Sequence, residues 1–361
     1  MKTVFISTSP PGKARPDYFH ALGNSFTRDG YRVVIIMDGS PKILPEHNTI
    51  LYKKWPSKRP TSYKDFIFLR ALIKKFKPEV LISSFGSVNI MNVCGYLAGI
   101  NNRVNYILSV SELFNRKSTR LSLLKYNFLK KRKSIVYKKS TLLVVNSSGV
   151  EKDIKNYYGL KNNFITLPNL IQNTSIPYQG KEKRKNQIII VGNLIKLKGH
   201  FYLLRQFAKT IEEYPDLKLL IIGSGLEKDR LLKQVSELDL DKNVKFLGKV
   251  AYVKMAQYFS KSLIHISSSL NEAFGFVNIE SMREGTPVIA TKSAGALDII
   301  KEGENGFFFS LDDINSLTKA IAIVLDNWKD YSDNSKRMFN NLYDLEELID
   351  NHRDYLKAKF S

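Results

Sequence analysis

The stretch Gln187-Ile-Ile-Ile-Val-Gly-Asn-Leu-Ile-Lys-Leu-Lys-Gly-His200 decides the fold of this 361-residue chain. Ile188 to Val191 form an apolar run of strand length, Gly192 and Asn193 close it with turn residues, and a helix-length stretch follows Gly199. A buried strand that feeds a helix through a short loop is the repeating unit of a parallel sheet.

The same unit recurs on both sides. Downstream, strands are predicted at Lys218 to Gly223, Val244 to Leu247, Leu263 to Ser267, Val288 to Thr291 and Phe307 to Phe309, after the opening strand Gln187 to Gly192. Upstream they fall at Val4 to Ser7, Arg32 to Met37, Val80 to Ser83, Asn105 to Ser109 and Leu142 to Asn146. Between the two series lies Gln172 to Asn186, polar and aperiodic, with Pro177, Gly180 and the run Lys181 to Lys185. The expectation is an α/β chain of two doubly wound parallel-sheet domains, residues 1–171 and 187–330, facing a central cleft at the carboxyl ends of their strands. A helical segment, 331–361, follows, and its run from Leu345 to Lys359 suits either domain.

Composition narrows the class. The 56 Lys and Arg against 34 Asp and Glu give a net charge of +22. Residues 1–170 hold 29 basic and 9 acidic side chains, and residues 171–361 hold 27 and 25, so nearly all the excess sits in the first half. A field of one sign attracts polyanions or an anionic membrane. The single cysteine, Cys94, lies among Ile90, Val93 and Leu97; it excludes an intramolecular disulfide and a multi-cysteine zinc site and reads as core. No apolar run reaches the length of a membrane span and the amino terminus has no signal-peptide layout, so a cytoplasmic location is expected, with peripheral contact on the inner face of the membrane.

The densest chemical signal is Leu270-Asn-Glu-Ala-Phe-Gly-Phe-Val-Asn-Ile-Glu-Ser-Met-Arg-Glu-Gly-Thr-Pro-Val-Ile-Ala290. It reads as the end of a strand, a loop with Gly275, and a short helix stopped by Gly285 and Pro287. Helix-start N–H groups near Phe274 to Val277 suit a diphosphate. Glu272 precedes that helix and Glu280 lies within it, and carboxylates accept hydrogen bonds from paired sugar hydroxyls. Taken singly, Glu272 reads equally well as a helix cap and Glu280 as an exposed helix carboxylate.

This segment resembles the signature of the family 4 glycosyltransferases, matching at Glu272, Phe274, Gly275, Glu280, Met282, Gly285, Pro287 and Val288. The stretch Ile190 to His200 is similar to the strand-loop-helix that opens the family's donor domain. Leu219 to Gly225, Asn243 to Val250 and Ser293 to Gly306 extend the likeness, and the first half matches more loosely through Pro11-Gly-Lys13, Val145-Asn-Ser-Ser148 and Leu167-Pro-Asn169. The resemblance implies the GT-B architecture of two Rossmann-like domains.

It also implies roles. Lys198 falls at the family's diphosphate-binding lysine, where a fixed cation neutralises charge that builds on the leaving group. Glu272 would orient the sugar hydroxyls and Glu280 bind the ribose, with Lys198 and Glu272 as the catalytic pair. Gly192, Asn193, Lys249, Val250, Ala273, Phe274, Gly275, Phe276 and Val277 complete the implied donor site, and Gly12 would approach the transferred group. Lys13, Ser111 and Glu112 are the candidate acceptor contacts. Two departures stand out: Asn193 occupies the family's usual arginine position, leaving Lys196 as a candidate substitute, and Ala296 replaces the second glycine after Ala294-Gly295.

Other readings are weaker. Asp239-Leu-Asp241 has metal-binding spacing but reads as a turn before a strand, and no histidine pair has helical metal spacing. His265 reads as a core or pocket-wall residue, and His200 as helix packing or a donor contact. Gly223-Ser-Gly225 lacks the third glycine of a dinucleotide fingerprint, since Lys228 stands there. The stretch Arg116 to Lys139 interleaves cations with Leu121, Leu123, Leu124, Phe128, Leu129, Ile135 and Val136; with Lys53, Lys54, Trp55, Lys58, Arg59, Lys74, Lys75 and Lys77 it is expected to dock on anionic lipid. Nucleic acid is not an expected partner, for want of a recognisable module.

The expectation is therefore a retaining, metal-independent transfer of a hexose-type sugar from a nucleoside-diphosphate sugar, uridine or guanosine, to a glycan or lipid-linked acceptor in surface polysaccharide or lipopolysaccharide biosynthesis, with no further cofactor. The alternatives are a non-catalytic polyanion- or membrane-binding protein on the same fold, and a sugar-nucleotide epimerase or phosphorylase.

Overall fold

The computed structural model describes residues 1–39, 50–111, 120–161, 163–177 and 180–360, with 120–124 as backbone alone. It divides into two compact units, Met1–Gln172 with Leu345–Ser361, and Asn173–Asp344.

The first unit is a seven-stranded parallel sheet: β1 (Thr3–Thr8), β2 (Arg32–Met37), β3 (Ile50–Lys54), β4 (Val80–Ser84), β5 (Asn102–Ile107), β6 (Leu142–Val145) and β7 (Phe164–Thr166). Their order is β3-β2-β1-β4-β5-β6-β7, so the winding reverses between β1 and β4. Helices cover both faces, which is why the central strands are apolar on both sides. Val4 and Ile6 point to α1 (Ala14–Arg28), while Phe5, one residue out of phase, packs with Leu69 of α2 (Tyr63–Phe76) and Met91 of α3 (Val88–Leu97). Helices α4 (Arg120–Lys138) and α5 (Ser148–Tyr158) precede β6 and β7.

The second unit has six parallel strands: β8 (Gln187–Val191), β9 (Lys218–Ile222), β10 (Val244–Gly248), β11 (Ile264–Ser267), β12 (Val288–Ala290) and β13 (Gly306–Phe308), in the order β10-β9-β8-β11-β12-β13. Its helices are α6 (His200–Glu213), α7 (Lys228–Glu237), α8 (Met255–Ser260), α9 (Phe276–Arg283), α10 (Ala296–Ile299), α11 (Ser316–Asp326) and α12 (Trp328–Leu342).

The carboxyl-terminal segment expected at 331–361 is two things. Helix α12 belongs to the second unit, and α13 (Leu345–Lys357) returns to the first. There Leu345, Ile349 and Leu356 join the α1 core, the Tyr18 hydroxyl meets His352 Nδ1 at 3.1 Å, and Asp350 accepts from Ser25 Oγ at 2.5 Å and Arg28 at 2.7 Å. The linker is not a free tether either. Arg184, inside the polar run, is buried in the second unit. Among the described residues, no helix is long and apolar enough to cross a membrane.

Candidate active site

The second unit's implied donor residues gather at the carboxyl ends of β8, β10 and β11. After β8 the chain turns through Gly192 and Asn193 into a short 3₁₀ turn, Lys196–Lys198, and enters α6 through Gly199 at φ +67°. A side chain at Gly199 would put its Cβ 2.0 Å from the Ser268 carbonyl oxygen, so only glycine lets this loop lie against the one after β11. The two loops are stitched together: Ser268 Oγ donates to the Lys198 carbonyl at 2.8 Å and the Leu270 N–H to the Leu197 carbonyl at 2.9 Å. That juxtaposition brings Lys198 Nζ onto the Glu272 carboxylate in an ion pair.

Glu272 is held from the other side as well. Its carbonyl accepts the Gly295 N–H at 2.8 Å, and a Cβ on Gly295 would fall 2.2 Å from the Phe274 carbonyl oxygen. Phe274 is buried against Phe276 and Tyr343. Gly275, at φ +99°, is the N-cap of α9, so Phe274 to Val277 sit at the positive end of that helix. One turn further in, Glu280 is only 7% exposed and has no hydrogen bond to another described residue. Burial pushes its carboxyl up to about 7, against the pull of the Arg283 charge.

Both histidines near this site are neutral at pH 7. Burial and the Lys198 charge take His200 down to about 4, and burial takes His265 to about 4 while its Nδ1 meets the Ile189 carbonyl at 3.1 Å. Lys198 therefore supplies the site's cationic charge from this loop. Asn193 is exposed, and Lys196 lines a cavity of about 380 Å³ with His200, Glu227 and Arg230. Lys249 is exposed, and Val250, just past β10, is partly buried against the cluster formed by Ile189, Leu220, Ile222, Met255 and Phe259. Asp239 adopts φ +54°, and Asp241 accepts from Ser236 Oγ at 2.9 Å, as a turn requires.

In the first unit, Gly12 takes φ +108° and its N–H donates to Asp17 Oδ1 at 2.7 Å; Lys13 is the exposed N-cap of α1. Ser111 is buried, with its N–H and hydroxyl both donating to Asp153 of α5 at 2.6 Å. These bonds brace the chain after β5, and a lone Asp in a distant helix gave no sign of the pairing. Glu112 lies outside the described residues. Trp55 is buried and leaves the expected docking surface.

Sequence reasoning missed Arg184. It donates to the carbonyls of Phe259, Ser262, Glu284 and Gly285 and to Thr286 Oγ1, and lies 4.8 Å from the Trp328 ring centre. Glu284 and Gly285 directly follow α9, so Arg184 anchors the far end of the helix that carries Glu280.

Two Rossmann-like units, one of them presenting a lysine and two glutamates at its strand ends, define a glycosyltransferase of GT-B architecture. Residues 172–341 match the model for glycosyl transferases group 1 and residues 17–172 that for glycosyltransferase family 4, and the chain belongs to this family. A glycosyltransferase of Haemophilus influenzae is 28% identical over 347 residues, covering 93% of this chain and 94% of its own. The N-acetylgalactosamine-N,N'-diacetylbacillosaminyl-diphospho-undecaprenol 4-alpha-N-acetylgalactosaminyltransferase of Campylobacter jejuni is 30% identical over 254 residues, 63% of this chain and 66% of its own. Among solved structures, Anabaena HepE in complex with UDP and glucose shares the fold at a TM-score of 0.74 and 16% identity, over 99% of this chain and 100% of that one.

Proposed function

We propose that this glycosyltransferase moves a hexose-type sugar from a nucleoside-diphosphate sugar to a glycan or lipid-linked acceptor, with retention of anomeric configuration and without a metal ion, in cell-surface polysaccharide biosynthesis. The observation that carries it is the Lys198–Glu272 pair beside the amino end of α9, with Glu280 buried one turn on. Lys198 and the positive end of α9 take the diphosphate, Glu272 takes the sugar hydroxyls, and Glu280 takes the ribose. As the bond from the anomeric carbon to phosphate oxygen breaks, the acceptor hydroxyl bonds to that carbon on the same face and passes its proton to the departing phosphate. The Campylobacter relative acts on a diphospho-undecaprenol-linked acceptor and the Anabaena protein binds UDP, which supports both halves of the reading.

Membrane docking fits the same role. On α4, Phe128 is 66% and Ile135 54% exposed, interleaved with exposed Lys125, Lys131, Arg132 and Lys138 and followed by exposed Lys139. That mixture lays apolar groups into a bilayer surface while cations meet anionic headgroups. The first experiment is thermal denaturation with a panel of UDP- and GDP-sugars, in which one donor family should raise Tm for the wild type and not for Glu280→Ala. A wild type that no donor shifts, while anionic vesicles do, would favour the binding-protein alternative. Changing Lys131, Arg132 and Lys138 to Gln should reduce cosedimentation with phosphatidylglycerol vesicles.

A further inference from the structure

We propose that a cavity in the first unit, rimmed by Lys58, Arg59 and Phe85, is an acceptor subsite for a sugar that carries an anionic group. The inference rests on the transferase reading above and adds the chemistry of the acceptor. The cavity, about 340 Å³, is bounded by Ser7 to Ser9 at the carboxyl end of β1 and Ser84 to Ser87 at that of β4. Those two strands are the pair between which the sheet reverses its winding, the place where open α/β sheets bind ligands. The volume suits a substituted monosaccharide.

Its walls are built. Trp55 is buried with its Nε1 donating to Ser7 Oγ at 3.0 Å, Ser84 Oγ donates to the Ser7 carbonyl at 3.4 Å, and Ser87 Oγ to the Ser84 carbonyl at 2.9 Å. Lys58 and Arg59 stand exposed at the rim, and among the described residues neither forms an ion pair with a carboxylate. Asp38, also at the rim, accepts from Ser9 Oγ at 3.1 Å instead. Two cations at the rim of a pocket whose wall is largely apolar select for a sugar that carries a phosphate or carboxylate.

Phe85 supplies the second argument. It sits at φ +52°, a conformation that a bulky side chain adopts only under constraint, and its ring is 54% exposed. Backbone strain and an exposed aromatic ring both weigh against folding, yet the chain retains both at the cavity mouth. A flat apolar ring there offers a face on which a sugar stacks, on the side away from the Arg15 guanidinium, which lies over the ring 5.3 Å from its centre.

The test is binding of N-acetylglucosamine 1-phosphate, glucuronic acid and methyl glucoside to the full chain, read by saturation-transfer NMR and titration, with donor-induced Tm shifts measured in parallel. The two anionic sugars should bind more tightly than methyl glucoside, and the stronger of the two identifies phosphate or carboxylate as the anion. Lys58→Gln with Arg59→Gln should weaken their binding about tenfold or more. Phe85→Gly relieves the strained φ, so it should keep or raise Tm while weakening the sugar phosphate and leaving inorganic phosphate unchanged. Donor shifts should survive in all these variants. Equal binding of methyl glucoside, or anionic binding untouched by the double substitution, overturns the subsite while the donor shift stands. Absence of any donor shift in the wild type overturns the transferase reading instead.

Discussion

Lys198 and Glu272 lie 74 positions apart in sequence yet form an ion pair, because Gly199 lets the loop after β8 rest on the Ser268 carbonyl at the start of the loop after β11. Each side chain is about a quarter exposed, at 24% and 25%, so the pair is easily exchanged for another partner. A donor diphosphate is that partner: it takes the ammonium and releases the carboxylate to the sugar. Lys198→Ala should lower kcat/KM by about 10² to 10³. Glu272→Gln should also impair turnover, yet bind the free nucleoside diphosphate up to about fivefold more tightly, since the competing carboxylate is gone. Isothermal titration with UDP and GDP reads the difference; weaker diphosphate binding in Glu272→Gln would show that the pair assists the phosphate site.

Glu280 makes the site pH-dependent. Its carboxyl is neutralised more readily in the folded protein, at about 7, than in the unfolded chain, so the native state binds the extra proton and stability falls as pH rises from near 4.5 through 7. Glu280→Gln should therefore stabilise the protein above pH 7, by at most about 3 kcal/mol, and change little at pH 4. Ribose hydroxyls donate to the ionised form, so wild-type donor affinity should weaken about tenfold from pH 8 to pH 6. The Gln variant should show a weak, flat profile. Donor affinity independent of pH would mean that the ribose does not rest on Glu280.

Gly295 fixes where Glu272 sits. A Cβ there would meet three backbone atoms of Phe274 at 2.2 to 2.4 Å, too close for any rotamer to relieve. Gly295→Ala must push the Glu272 loop away from β12's exit, and displacement near 1 Å costs about a hundredfold in rate. The variant should lose most activity and its donor-induced Tm shift together. Full activity would show that the loop yields without moving Glu272.

Most of the architecture was legible because central parallel strands are buried on both faces and must be almost wholly apolar, as Val4 to Ile6 and Ile188 to Ile190 are. The two edge strands of the first sheet were not, although those of the second, β10 and β13, were. Ile50–Lys54 ends in two lysines and Phe164–Thr166 is three residues long, since an edge needs less burial and tolerates charge. Strand β5 begins at Asn102, ahead of the expected Asn105, because Asn105 is satisfied inside the sheet by Ser83 and Ser140 rather than excluded from it. At the site, Glu272, Glu280 and Lys198 were visible through their motif. The bracing of Ser111 by Asp153 was not legible because the two are 42 residues apart, and the strained Phe85 carries no mark in sequence at all.

Arg184 hid for a similar reason: in the run Lys181 to Lys185 one cation looks like the rest, and only tertiary packing selects it for burial. Its planar fork reaches carbonyls from the end of α8 and the end of α9 at once, which three donors on a lysine ammonium cannot span. Arg184→Met should strand those acceptors away from water and cost about 3–5 kcal/mol, measured by urea unfolding of the whole chain. Arg184→Lys should recover only part of the loss. Because the freed carbonyls adjoin α9, donor affinity should fall in both variants even at temperatures where they remain folded. Wild-type stability in Arg184→Lys would show that charge alone, and not the guanidinium's geometry, holds this helix in place.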